Sequence, residues 1–326
     1  MAPQDSEVDV AIRHGAGDDI GYFLAHDSTG HAVPNIAPIG KVPVEILAEI
    51  FFQCIDIPSG QHDGLHPRKC KFVDHPQTIR KQLGQVCQMW NNIIDNDPRI
   101  WATFILYGEF LDPEMVSLWI EKSKSHPLDV FFWSDRRSQH EERAILAMLH
   151  KELWRIRIFA GDIIKRGGIK VLFPLGVLTE APMMQTCKLW NQHRLAYMHK
   201  GAVCVGGVHC PQLHSLTISY IGIQGFNLFV KPMENVHRLD ISYYGPIHSY
   251  LNLLDLMPNL VSLTWRDIRH QQTKEELPRF NIRSLRYLTL VERGTTMLTR
   301  YLACLYVPSS PHLDRILMTY LFLISG

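Results

Sequence analysis

Apolar residues between positions 42 and 55 cover far more than one side of a helix. In the stretch VPVEILAEIFFQCI only Glu45, Glu49 and Gln53 are polar, and at 100° per residue they share an arc of roughly 80°. An amphipathic surface helix needs a single apolar stripe about half as wide as this one. The helix is therefore expected to bury against two different bodies.

Helical patterns continue to about residue 106. Between residues 79 and 94, apolar side chains recur at steps of three and four and predict one second helix that runs through Val86 and Cys87. Asp97 followed by Pro98 predicts the cap and the first residue of a short third helix. Three short helices make a very small core, so this module is not expected to stand alone.

Asp112 and Pro113 predict the cap and the first residue of a further helix. From there the pattern changes to helix followed by strand, and an apolar triplet at i, i+3 and i+5 recurs. Five clear triplets begin at residues 213, 236, 260, 285 and 313, which lie 23, 24, 25 and 28 residues apart. Two looser ones precede them: Leu153/Ile156/Ile158 and Met184/Cys187/Leu189.

Each copy of this repeat predicts one strand and one helix, which cannot bury both apolar faces alone. The copies are therefore expected to stack into a curved α/β solenoid with a parallel sheet on its concave side. The spacing is that of leucine-rich repeats, in an irregular version that lacks the usual Asn or Cys ladder position.

Three motifs in the helical segment resemble the F-box family. They are Val42-Pro43-x-Glu45-Ile46-Leu47-x-x-Ile50-Phe51, then Leu83-x-x-Val86-Cys87-x-x-Trp90, and then Pro98-x-Ile100-Trp101. The family usually has Leu where Val42 stands, and a shorter linker between its first two helices. Together with the repeats, the resemblance implies a non-catalytic substrate receptor of a cullin-RING ubiquitin ligase.

The resemblance also implies what the two bodies around the first helix are. In F-box proteins one side of this helical unit packs on a Skp-family adaptor and the other supports the substrate-binding domain. Leu47 and Trp90 are the expected hot spots. The implied adaptor-binding residues are Pro43, Ile46, Leu47, Ile50, Leu83, Val86, Cys87 and Trp90.

The expected fold class is α+β, in three parts. Residues 1–38 are expected to form a disordered leader, residues 39–106 a three-helix F-box-like module, and residues 107–326 the leucine-rich-repeat-like solenoid. The chain stops just after a repeat triplet, so the last unit is expected to lack its helix or a cap.

Side chains that flank each triplet are expected to point to the opposite face of their strand. Several are arginines, which bind acidic or phosphorylated peptides through paired hydrogen bonds. A merely solvated strand face is the alternative. The candidate substrate-binding residues are Arg155, Arg157, Lys188, Trp190, Arg238, Asp240, Arg266 and Tyr287.

Composition and charge limit the classes of partner and the cellular location that the sequence favours. The net charge is +1, from 33 Lys and Arg against 32 Asp and Glu, so no global field attracts nucleic acid or an acidic membrane, and neither is an expected partner. The seven cysteines form no disulfide framework. The N-terminus lacks a signal-peptide pattern and the apolar runs are too short to span a bilayer. A cytoplasmic or nuclear location is expected.

The sequence contains few motifs that indicate a catalytic or metal-binding site. No nucleophile elbow, HExxH motif or phosphate loop occurs, so no enzyme activity and no cofactor are expected. A zinc site is an alternative to a solvated loop for one cluster, which consists of Cys54, His62, His66, Cys70 and His75. The alternative to a ligase receptor is a repeat scaffold that binds proteins independently of any ligase.

Overall fold

The structure of the protein is a computed structural model. It describes residues 41–55, 75–107, 110–133, 139–162, 168–190, 207–219, 231–242, 253–268, 280–281, 284–292, 305–306 and 315–320. The chain divides into two compact units, one ending at Ile46 and the other beginning at Leu47. Of the first unit, residues 41–46 are described, and they include the first residues of helix α1.

Short helices open the described chain. They are α1 (Val44–Ile55), α2 (Pro76–Gly84), α3 (Gln88–Asn96) and a 3-10 helix (Pro98–Trp101). As the sequence predicts, Asp97 caps the 3-10 helix, because its Oδ1 accepts a hydrogen bond from the Arg99 amide at 3.0 Å. His75 caps α2 in the same way, through its Nδ1 and the Gln77 amide.

The prediction of a single second helix is wrong, because the structure has two helices between residues 76 and 96. Helix α2 ends at Gly84, and Cys87, which precedes α3, has extended backbone with φ −164°. Glycine is a poor helix former, and here it also allows close packing of the two helices. A β-carbon at Gly84 would lie 2.9 Å from Oδ1 of Asn91 in α3.

A nine-stranded parallel sheet forms the centre of the described chain, and its strand order follows chain order from one edge to the other. The coarse prediction of an α+β fold with a parallel sheet is confirmed. Two further pairs of short parallel strands accompany the sheet: β4 (Thr179–Glu180) with β6 (Val208–His209), and β10 (Phe280–Asn281) with β12 (Leu305–Tyr306). The nine strands are β1 (Thr103–Leu106), β2 (Leu128–Trp133), β3 (Ile156–Asp162), β5 (Thr186–Trp190), β7 (Ser215–Ser219), β8 (Arg238–Ser242), β9 (Ser262–Ile268), β11 (Tyr287–Glu292) and β13 (Arg315–Tyr320).

Three α-helices lie in the first connections between these strands: α4 (Pro113–Lys122), α5 (Gln139–Lys151) and α6 (Gly168–Leu172). Asp112 caps α4 as predicted, by accepting a hydrogen bond from the Glu114 amide at 2.9 Å. Trp119 of α4 packs against Phe104 of β1, with ring centroids 5.6 Å apart. None of the helices in the described residues is both long and apolar enough to cross a membrane.

The strand register confirms the repeat. One row of paired residues crosses the sheet, with neighbours 23 to 29 residues apart in the chain. We call the side of the sheet that carries this row the first face and the other side the second face. The row consists of Phe104, Val130, Phe159, Cys187, Leu216, Leu239, Leu263 and Leu288, all buried.

The triplets that begin at residues 184, 213, 236, 260 and 285 are all buried, as predicted. In the last copy Ile316 and Met318 pair with Leu288 and Leu290, while Leu313 lies outside the described residues. The copy at Leu153/Ile156/Ile158 is out of register. A β-bulge between Leu128 and Asp129 puts Phe159 into the row and turns Ile158 to the second face.

The repeats do have a ladder of side chains, which the sequence analysis did not find. The amide of Asn235 donates to the carbonyl of Pro211 at 2.6 Å, and the amide of Asn259 donates to the carbonyl of Glu234 at 2.9 Å. One repeat later, the Ser284 hydroxyl donates to the carbonyl of Pro258. The ladder position comes just before the first residue of each triplet, so neighbouring repeats are hydrogen-bonded there.

Two buried polar residues fasten α2 to the first strand. The Arg80 guanidinium donates to the carbonyls of Ile100 and Thr103 at 2.8 and 2.9 Å and lies between two indole rings. The His75 ring stacks on Phe110 with centroids 3.5 Å apart, and its Nε2 lies 2.7 Å from the Ile105 carbonyl oxygen. Burial lowers the pKa of His75 to about 4 and the pKa of Arg80 to about 9.

Candidate partner-binding surfaces

The outer side of α1 exposes a line of apolar side chains. Ile46 is 52% exposed and Ile50 is 48% exposed, and Cys54 is exposed one turn later. Steps of four residues place these three on one line of the helix. The parallel line of Leu47, Phe51 and Ile55 is buried. The apolar arc predicted from the sequence is therefore covered on one side and uncovered on the other.

The break between α2 and α3 exposes a second apolar set. Val86 is 59% exposed, and Cys87 beside it is exposed as well. The amide of Val86 donates to the Leu83 carbonyl at 3.2 Å, which closes the last turn of α2. Because both residues lie in the link between the helices, their side chains are not packed into the contact between α2 and α3.

One aromatic contact joins these two sets of residues. The ring of Trp90 in α3 lies 4.6 Å from the ring of Phe51 in α1, measured between centroids. Phe51 is 1% exposed, whereas Trp90 is half-buried. The pair therefore holds α1 and α3 together. Ile50 adjoins Phe51 in α1, and Val86 lies in the link that precedes α3.

The predicted adaptor-binding residues fall into three groups. Pro43, Ile46, Ile50, Val86 and Cys87 are exposed, and Leu83 and Trp90 are half-buried. The expectation that Leu47 faces a partner is wrong, because its side chain is 1% exposed and belongs to the protein's own core. Ile50 takes its place as the accessible residue in the middle of the helix.

An ionic network holds α1 against the 3-10 helix. Arg99 donates to Glu49 of α1 at 2.8 Å and to Asp97 at 2.7 Å, and its guanidinium lies over the Phe52 ring. Hydrogen bonds from Gln53 and Arg99 lower the pKa of Glu49. This network occupies the polar arc of α1, so the exposed apolar line beside it is held in a defined orientation.

On the second face of the sheet, the later strands carry polar and exposed side chains. Arg238 is exposed, and Tyr287 is 45% exposed. Arg266 approaches Asp240 on the neighbouring strand, with Nη2 and Oδ2 3.3 Å apart. These four predicted substrate-binding residues are brought together as expected, on strands β8, β9 and β11, which pair with one another.

The first strands of the same face carry an apolar cluster, which the sequence analysis missed. Ile105, Phe131, Trp133 and Ala160 are buried there, and Trp190 packs at their border. The rings of Trp133 and Trp190 have centroids 6.1 Å apart. The continuous apolar run of β2, LDVFFW, was the available signal, because a strand buried on both faces does not alternate.

Two predicted substrate-binding residues serve the fold instead, and a third is paired within the protein. Arg155 is 1% exposed and lies in a 3-10 helix (Leu153–Arg155), where its guanidinium donates to Ser123, His126 and Ile120. The expectation that it binds substrate is wrong for that reason. Lys188 is too deeply buried for the same role, with 8% exposure. Arg157 is partly exposed, but it donates to the buried carboxylate of Asp129.

The possible zinc cluster is not assembled by the residues that the structure describes. Cys54 is exposed on α1, whereas His75 is buried and bonds to Gln77 and Ile105. His62, His66 and Cys70 lie outside the described residues. Within the described ranges, no group of three or more His, Cys, Asp or Glu side chains is arranged to hold a metal ion.

Comparisons with known proteins identify no relative of this chain. No protein-family model matches the chain, and no curated protein or solved structure matches it. Any conclusion about function therefore depends on the two surfaces above: the exposed apolar residues of α1 and the α2–α3 link, and the second face of the sheet.

Proposed function

We propose that the protein is a non-catalytic substrate-recognition subunit of an F-box-type ubiquitin ligase. Its helical segment docks a Skp-family adaptor, and its strand array binds a target protein. The observation that carries the proposal is the exposure of apolar side chains at Ile50 in α1 and at Val86 and Cys87 in the α2–α3 link. These residues lie within the motifs that resemble the F-box.

An exposed apolar surface of this kind favours a protein partner. Burying a large aliphatic side chain contributes about 1.5–3 kcal/mol before ordering costs, and contiguous exposed apolar residues mark interaction sites. Ile50 and Val86 are the proposed hot spots, because both are about half exposed. The contact between the Phe51 and Trp90 rings fixes α1 against α3.

The strand array supports the second half of the proposal. Nine parallel strands in chain order, with partners 23 to 29 residues apart, agree with an irregular leucine-rich-repeat-like solenoid. In such an array each repeat contacts its neighbours, and one face of the sheet remains for a partner. The three-helix F-box module is part of the same proposal, with α1, α2 and α3 as its helices.

The target-binding residues are proposed to be Trp190, Arg238, Asp240, Arg266 and Tyr287. Arg238, Arg266 and Tyr287 supply cationic and aromatic groups, which are enriched at protein interfaces. An acidic side chain of the target competes with Asp240 for the guanidinium of Arg266, whose present contact is long at 3.3 Å. The sheet thus favours an acidic segment beside an aromatic one.

In this role the protein needs no active site or cofactor of its own. Ubiquitin transfer is carried out by other subunits, and the receptor contributes proximity and orientation. A cytoplasmic or nuclear location suits this work. A repeat scaffold that binds proteins independently of any ligase is the competing function, and association with the adaptor separates the two.

The test is co-purification of the full chain with a Skp-family adaptor. We expect the double variant Ile50→Ser/Val86→Ser to lower the affinity at least about tenfold, because two apolar contacts are lost. Leu118→Ser is the matched control, since Leu118 of α4 is also exposed, at 44%, but lies outside the surface. Absence of any adaptor complex, or equal binding by the double variant, would contradict the proposal and favour the scaffold.

A further inference from the structure

The described residues contain a second group of exposed apolar side chains, far along the chain from the helical motifs. Large exposed apolar residues of α1 and the α2–α3 link account for one group. The other consists of Trp154, Leu175, Val177 and Leu178, which are 48%, 57%, 51% and 46% exposed. Contiguous exposed apolar residues in a folded chain need a functional reason.

Residues 175–178 form a loop between α6 and β4 with no polar side chain: Leu-Gly-Val-Leu, all four exposed. Gly176 adopts a left-handed backbone with φ 77°, and a β-carbon built there would have no neighbour within 4 Å. The loop therefore stands away from the surrounding protein. Its base is firmly held, since Leu172 and Phe173 before it are buried.

Trp154 belongs to the same region of the surface. It lies in the 3-10 helix Leu153–Arg155, and this helix lies beside β4, the strand that follows the loop. The Arg155 guanidinium lies over the indole of Trp154, 5.8 Å from its centroid. Because Arg155 is held by hydrogen bonds to the carbonyls of Ile120 in α4 and of His126 after α4, it supports the indole from the protein side.

The charges around these residues favour an anionic partner. Lys151, at the end of α5, and Lys170, in α6, are both exposed. Of the carboxylates next to these residues in the chain, Glu152 pairs with Arg155 at 2.7 Å, and Glu180 lies 2.7 Å from Nδ1 of His209. Two exposed lysines therefore lie close to Trp154 and the loop along the chain, and the charge of Glu152 is balanced by Arg155.

We propose that Trp154 and residues 175–178 form an attachment site for the surface of an anionic phospholipid bilayer. The leucine and valine side chains enter the boundary between headgroups and acyl chains, the indole lies at the interface, and Lys151 and Lys170 contact anionic headgroups. Exposed apolar side chains together with nearby positive charge are the combination that binds an anionic bilayer. This departs from the expectation that no membrane is a partner, and it does not depend on the proposed ligase function.

The test is co-sedimentation of the full chain with vesicles. We expect binding to vesicles made of equal parts phosphatidylcholine and phosphatidylserine, and weaker binding to phosphatidylcholine alone. Leu175→Ser/Leu178→Ser should lower the affinity at least about tenfold, because two side chains leave the bilayer. Lys151→Gln and Lys170→Gln should each lower it about fivefold, as expected for one lysine near an anionic surface.

Two control variants isolate the loop. Leu118→Ser and Val44→Ser remove comparably exposed apolar side chains elsewhere, and both should bind vesicles like the original chain. The proposal is overturned if the original chain stays in the supernatant with both vesicle types, or if the double leucine variant sediments unchanged. A loss of self-association in that variant without any lipid binding would also overturn it, and would assign the loop to contact between copies of the chain.

Discussion

At the scale of single residues, two buried arginines hold the segments next to the first strands of the sheet in place. Arg80 and Arg155 are 3% and 1% exposed, and both donate to backbone carbonyls. Arg155 reaches the carbonyl of Ile120 near the C-terminal end of α4, where helices leave acceptors unpaired. Nothing in the sequence around Arg155 distinguishes it from the partly exposed Arg157, because the acceptors lie about thirty residues away.

A substitution at Arg155 tests this structural role. Arg155→Ala should lower the free energy of unfolding by about 3 kcal/mol, because the buried guanidinium's hydrogen bonds to Ser123, His126 and Ile120 are lost. Arg286→Ala is the control, since Arg286 is exposed at the start of β11, and it should change stability by less than about 0.5 kcal/mol. Urea denaturation of both variants gives the comparison. Similar midpoints would show that the buried guanidinium adds little.

At the scale of elements, the side chains that join neighbouring repeats show why the strand array keeps its register. Asn235, Asn259 and Ser284 occupy the same position in three consecutive repeats, and each donates to a carbonyl of the repeat before it. Gln212 holds that position one repeat earlier and is exposed. A short Asn side chain reaches the neighbouring backbone with little loss of rotamer freedom, which favours it over Gln here.

The ladder predicts a difference between two similar substitutions. Asn259→Ala should lower the free energy of unfolding by about 1 kcal/mol, because one side-chain hydrogen bond to the Glu234 carbonyl is lost. Gln212→Ala, at the equivalent position, should be close to neutral. The measurement is the shift in the midpoint of urea denaturation between variants whose free energy of unfolding falls with urea concentration at the same slope. Equal shifts for the two variants would argue against a stabilising ladder.

At the scale of the whole molecule, the helical segment and the sheet share residues across the predicted boundary at 106/107. Strand β1 lies before that boundary and pairs with β2 after it. Arg80 and His75 of the α2 segment bond to the carbonyls of residues 100, 103 and 105. The domain limits themselves stay a prediction, but this sharing indicates that the strand array is not independent of α2 and β1.

Two fragments test that dependence. In residues 107–326 the amides of β2 should exchange with solvent faster than in residues 75–326, because the shorter fragment lacks β1 and the Phe104 side chain beside Val130. Hydrogen exchange followed by mass spectrometry measures the difference directly. Equal protection of β2 in the two fragments would show that the sheet is complete without β1.

The sequence by itself determined the later strands, the buried triplets from residue 184 onward and the caps at Asp97 and Asp112, because these depend on local period and on side chains next to the helix they begin. Residues 103–106, which form β1, lie within the segment that was predicted to be helical. The sequence also located the exposed residues Ile46 and Ile50, through an apolar arc too wide for one contact, while Val86 came from the resemblance to the F-box motifs. Only the tertiary structure decided that Leu47 is covered, that the second helix is broken at Cys87, that a bulge turns Ile158 over, and that one half of the second face is apolar. Each of these depends on neighbours distant in the chain, whose packing no local pattern records.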